Sequence, residues 1–96
     1  MTKDSKILDE LWEVINEREQ SSEASSYTRG MLEQGINKIA QKFGEEASEL
    51  IIATLAETKK EVVGESADLL YHWFLLLKAS GAEPSEVYQE LANRRK

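Results

Sequence analysis

The chain has 96 residues, 41% of them apolar and 31% charged, with a formal charge of −6 and no cysteine. That length holds one domain, residues 1–96, with a modest core. The acidic balance argues against nucleic acid or an anionic membrane surface as the partner, and the missing thiols exclude disulfides, thiolate catalysis and sulfur-bound zinc.

The opening MTKDSKILDE has no signal-peptide pattern, and the longest apolar run, residues 73–77, is too short to cross a bilayer. A cytoplasmic protein that does not enter a membrane is expected. Residues 6–18 follow Asp4 and Ser5, either of which can cap a helix. Ile7, Leu8, Leu11, Val14 and Ile15 recur there at helical spacing. Residues 20–26 are small and polar and read as a loop, the segment most prone to motion. A short helix is expected over 27–33, ending near Gly35.

Residues 36–57 form the next strong segment. Ile36, Ile39, Ala40, Phe43, Ala47, Leu50, Ile51 and Thr54 share one face at about 100° per residue. Residues 58–60 connect it to a helix over 61–80, with Val62, Val63, Leu69, Leu70, Trp73, Leu76 and Leu77 inward. Gly81 suits its end. Pro84 then opens a last helix, docked by Val87 and Leu91 and closed by a basic end. No stretch alternates long enough for a strand. The fold class is all-α: an antiparallel bundle of four to five helices, completed by dimerisation of so small a chain.

Two of these helices carry acidic pairs three residues apart, and so adjacent on the helix surface. Glu46 and Glu49 flank the apolar stripe of one, with Glu45 beside them. Glu65 and Asp68 flank the Leu69/Trp73 face of the other, in line with Glu61 and His72. If the helices pack antiparallel, four carboxylates meet and repel, unless a divalent cation relieves them. Oxygen-only ligands favour magnesium, with manganese as a substitute. The spacing alone is more often that of an exposed ion-pair surface.

The stretch SYTRGMLEQGINKIAQKFGEEASELIIATL, followed by ESADLLYHWFLLL, resembles phosphoribosyl-ATP pyrophosphatase, within the all-α, MazG-like nucleotide pyrophosphohydrolases. The resemblance runs from about Ser26 to Arg94. It rests on Ser26-Tyr27-Thr28, Lys38-Ile39, Lys42, the Gly44-Glu45-Glu46-x-x-Glu49 motif, Glu65-x-x-Asp68 and Leu69-Leu70-Tyr71-His72. Three features depart from the family pattern: Phe43 replaces a small aliphatic residue, Ser-Glu-Ala-Ser precedes the Ser26-Tyr27-Thr28 segment in place of the family's turn, and Glu65-Ser66-Ala67-Asp68 stands for the commoner EAAD.

The resemblance implies magnesium-dependent hydrolysis of phosphoribosyl-ATP to phosphoribosyl-AMP and pyrophosphate in histidine biosynthesis. It implies Glu46, Glu49, Glu65 and Asp68 as metal ligands and Glu45 as the group that orients or deprotonates the water. Glu45 also suits a solvated surface acid. Lys38 and Lys42 would bind phosphates, or pair with acids one turn away. His72 would contact substrate or support a ligand, and Tyr27 and Arg29 would close over the phosphoribosyl group. A homodimer is expected, with substrate residues from both copies. Two rival readings remain: a related house-cleaning nucleoside triphosphate pyrophosphohydrolase, and a non-catalytic helical interaction module.

Overall fold

The computed structural model describes residues 3–20 and 26–95. Five helices follow in order: α1 (Lys6–Gln20), α2 (Tyr27–Gln34), α3 (Ile36–Ala56), α4 (Lys59–Ser80) and α5 (Pro84–Arg94). No strand occurs among the described residues, so the expected all-α class is the observed one. The expected loop at 20–26 falls mainly on 21–25, outside the described residues.

Local chemistry sets the boundaries. The Ser26 hydroxyl accepts from the Arg29 backbone N–H and starts α2. Gly35, at φ 93°, is the whole link between α2 and α3 and takes a backbone conformation that side-chain-bearing residues resist. The Thr58 hydroxyl caps α4 by accepting from Glu61 N. The expected 58–60 connection therefore shrinks to Glu57 and Thr58, and Lys59 and Lys60 join the first turn of α4. Gly81, at φ 84°, closes α4 in the left-handed conformation, its N–H reaching the carbonyls of Leu77 and Lys78. Pro84 then starts α5 with a Glu83/Glu86 capping box.

The two-residue link folds α3 back along α4 as a long antiparallel hairpin, the most extensive helix pair in the molecule. Helices α1 and α2 cover one end of it. There Ile15, Met31, Ile39, Phe74 and Leu75 form the core, with Leu8, Leu11, Trp12 and Leu32 against them. Trp12 meets the Phe74 ring edge-on at 5.7 Å. Burying each large side chain is worth about 1.5–3 kcal/mol.

The other end of the hairpin has no such cover, and this corrects the expected faces. On α3, Ile36, Ala40, Ile51 and Thr54 are exposed, and the buried line is Ile39, Glu46 and Ala53, spaced by seven. On α4, Val63 and Leu70 are exposed, whereas His72, Phe74 and Leu75 are buried. A single-helix wheel finds where apolar residues cluster. Which part of the cluster is covered depends on where α1 and α2 stop.

Candidate metal centre

Glu46 occupies the middle of the buried line on α3, one step of seven from Ile39 and one from Ala53. Its side chain is only 7% exposed. A carboxylate placed there must be compensated. Lys42, one turn earlier, supplies part of that: its Nζ lies 3.4 Å from Glu46 Oε1 and 3.7 Å from Glu45 Oε1. The Glu46 bond pushes the Lys42 ammonium pKa above its ordinary value. The second oxygen, Glu46 Oε2, is buried with no hydrogen-bond partner.

Across the hairpin, α4 presents Glu65. Carboxylate oxygens of Glu46, Glu49 and Glu65 all lie within 4.8 Å of one another. Glu65 hydrogen-bonds to Glu49. That bond first, then desolvation, then the charges of Glu49, Asp68 and Glu46 push the Glu65 carboxyl up to about 7. Near neutrality the two acids therefore share a proton, a sign of unrelieved like charge. Glu65 Oε2 is, like Glu46 Oε2, buried without a partner. Two orphaned carboxylate oxygens, on residues that converge with a third carboxylate, fit a hard divalent cation, whose positive charge and oxygen preference meet both deficits. Three glutamates could thus hold a metal ion.

Asp68 stands outside the convergent set. It is exposed, yet close enough for its charge to act on Glu65 and on Tyr27. Glu45 is exposed and turned toward Gln41, whose amide Nε2 donates to Glu45 Oε2 at 3.1 Å. Lys38 is exposed on the same helix. Arg29 pairs with Glu33 on α2 at 3.3 Å.

His72 is buried rather than at a helix edge, and it bonds to Tyr27. The Asp68 carbonyl lies 2.7 Å from His72 Nδ1. A carbonyl only accepts, so Nδ1 carries the proton and Nε2 accepts from the Tyr27 hydroxyl at 2.8 Å. Desolvation, partly offset by Lys42, raises the Tyr27 phenol above its ordinary pKa.

Two features escape a linear reading. Thr28 and Tyr71 join their hydroxyls across α2 and α4, a second clamp beside Tyr27–His72. The acidic row also continues past Glu49. The Glu57 carboxyl is raised chiefly by its hydrogen bond to Glu61, and Glu49, Ile52, Glu57 and Glu65 line a cleft of about 290 Å³. Glu57 follows Glu49 by eight residues, a helical repeat that could have marked it.

The arrangement defines an all-α protein with a carboxylate cleft, between two antiparallel helices, suited to a divalent cation. Residues 8–95 match the family described as Phosphoribosyl-ATP pyrophosphohydrolase. A protein of Paramagnetospirillum magneticum named phosphoribosyl-ATP pyrophosphatase is 52% identical over 94 residues, covering 98% of this chain and 86% of its own. Proteins of the same name from Parvibaculum lavamentivorans and Sulfurisphaera tokodaii are 48% and 44% identical. The first alignment covers 98% of this chain and 86% of the relative, the second 96% and 98%. The chain belongs to the phosphoribosyl-ATP pyrophosphohydrolase family.

Proposed function

We propose that the protein hydrolyses N1-(5-phosphoribosyl)-ATP at its α–β phosphoanhydride, giving phosphoribosyl-AMP and pyrophosphate, as a cytoplasmic step of histidine biosynthesis. The convergence of Glu46, Glu49 and Glu65, with two buried oxygens lacking partners, carries the reading for a member of this family. Magnesium is the proposed ion and manganese a substitute. Once bound, such a dication neutralises triphosphate charge and lowers the pKa of a nearby water.

Glu46, Glu49 and Glu65 hold the ion, and Asp68 completes the set when its exposed carboxylate swings in. Lys42 and Lys38 bind phosphate oxygens, Lys42 leaving Glu46 as it does so. Glu45 orients the attacking water, which requires it to give up its bond from Gln41. Arg29 and Tyr27 contact the nucleotide, and His72 holds Tyr27. The working unit is a homodimer, with no nucleic acid or membrane as partner.

The test is pyrophosphate release from phosphoribosyl-ATP by the purified protein, with and without magnesium. Release is expected with the metal only, and Glu49→Gln is expected to lower the rate at least about a hundredfold. A wild-type protein that is inactive with magnesium, or that cleaves ordinary nucleoside triphosphates equally well, overturns the assignment.

A further inference from the structure

Tyr27 is the one aromatic among the large apolar side chains left exposed in the described residues; the residue is 49% exposed. Its hydroxyl is already committed, donating to His72 Nε2 at 2.8 Å. His72 is itself fixed through Nδ1 to the Asp68 carbonyl. A chain of two hydrogen bonds thus anchors the phenol tip to the backbone of α4. The ring is also backed: Tyr71 lies 6.1 Å away at a tilt of 33°, and His72 meets it edge-on at 5.8 Å. Tyr71 is held in turn by its bond to Thr28. The tip lies beside the metal candidates, where the charges of Lys42, Glu46 and Asp68 reach it.

A tyrosine fixed at its tip and packed against Tyr71 and His72, yet about half exposed among the described residues, has ring surface left to offer. It cannot donate its proton to substrate without breaking the His72 bond. What it can offer is a flat apolar face, which every purine matches irrespective of its hydrogen-bonding edge. We infer that the ring of Tyr27 is the platform on which the substrate's purine stacks, with Tyr71 and His72 as positioning residues that hold it. This inference rests on the nucleotide-hydrolase reading above. It narrows the role expected from the sequence, from closing over the phosphoribosyl group to stacking the base.

The test uses two ligands that divide the substrate: AMP, which carries the purine, and inorganic pyrophosphate, which does not. Affinities are measured for the magnesium-loaded wild type, Tyr27→Phe and Tyr27→Leu. Loss of a base–aromatic stack is expected to weaken AMP binding by Tyr27→Leu about tenfold or more, while Tyr27→Phe stays within about threefold. Pyrophosphate affinity is expected to be the same in all three. Equal weakening of both ligands by Tyr27→Leu overturns the inference, as does a Phe variant as weak as the Leu variant. If Tyr27→Leu does not fold, the wild type decides: nuclear Overhauser contacts between the Tyr27 ring and the H2 or H8 protons of bound AMP are expected, and AMP bound without them overturns the platform. A wild type that binds AMP through Tyr27 yet releases no pyrophosphate from phosphoribosyl-ATP defeats the reaction assignment and supports the platform.

Discussion

The Glu49–Glu65 pair gives the metal-free protein a pH dependence of definite sign. Glu65 titrates near 7 in the folded state, against an ordinary 4.5. Between those values the folded chain holds a proton that the unfolded chain has lost. Stability therefore falls as pH rises through that window and levels off above it. Thermal melts of the metal-free protein from pH 4.5 to 8 should show this fall. Glu65→Gln should flatten it and leave the variant more stable than wild type at pH 8, although unable to bind magnesium tightly. Binding of the cation must expel the shared proton, so magnesium affinity of the wild type should rise with pH up to about 7 and then level off. Lys42 carries a second prediction at this scale. Its ammonium sits on the same Glu46 carboxylate that a cation would use. Lys42→Met should bind magnesium more tightly in the absence of substrate, by about threefold to tenfold, because a competing positive charge is gone. The same variant should be less sensitive to pyrophosphate inhibition. Isothermal titration with each ligand checks both halves, and weaker magnesium binding would mean that Lys42 supports the site instead of competing for it.

At the scale of elements, the start of α4 decides how Glu61, Glu65 and Asp68 face α3. The Thr58 hydroxyl accepts from the Glu61 N–H and donates to its carboxylate. Thr58→Ala should cost about 1 kcal/mol in urea denaturation, with little change in the slope. That cap was not read in the chain, where 58–60 was expected as a connection, whereas the glycine stop at Gly81 and the proline start at Pro84 were legible. So were the two acidic pairs, because spacing of three along a helix is a local fact. What was not legible is where a helix face becomes covered. Glu46 was expected on the shoulder of its stripe and lies in the buried line. Ile51 and Val63 were expected inward and are exposed. The local pattern is the same in both halves of the hairpin. Only the reach of α1 and α2 distinguishes the covered half from the open one, and that is tertiary information. His72 was misplaced for the same reason, since its burial comes from Tyr27 on another helix.

For the whole molecule, the chain exposes more surface than a compact monomer of its mass. The accessible area is 6904 Å², where a compact monomer of this mass should expose about 5,600 Å². The radius of gyration is 14.4 Å, against about 12.5 Å expected for this length. On α3 and α4, Ile51, Ile52, Leu55, Val63 and Leu70 stand exposed, Leu55 at 82%. Ile52 also lines the acidic cleft, so whatever covers this face borders the proposed centre. A standard interface takes roughly 800 Å² from each partner, which the surplus can supply. A second copy presenting the same helices would turn two hairpins into a four-helix bundle and bury the apolar face against its own kind. Sedimentation at micromolar concentration should therefore find a dimer whose melting temperature rises with protein concentration. Leu55→Glu places a charge on that face and should yield a monomer whose melting temperature no longer depends on concentration. A wild type that sediments as a monomer, with a concentration-independent melt, would show that the open half of the hairpin is tolerated in water.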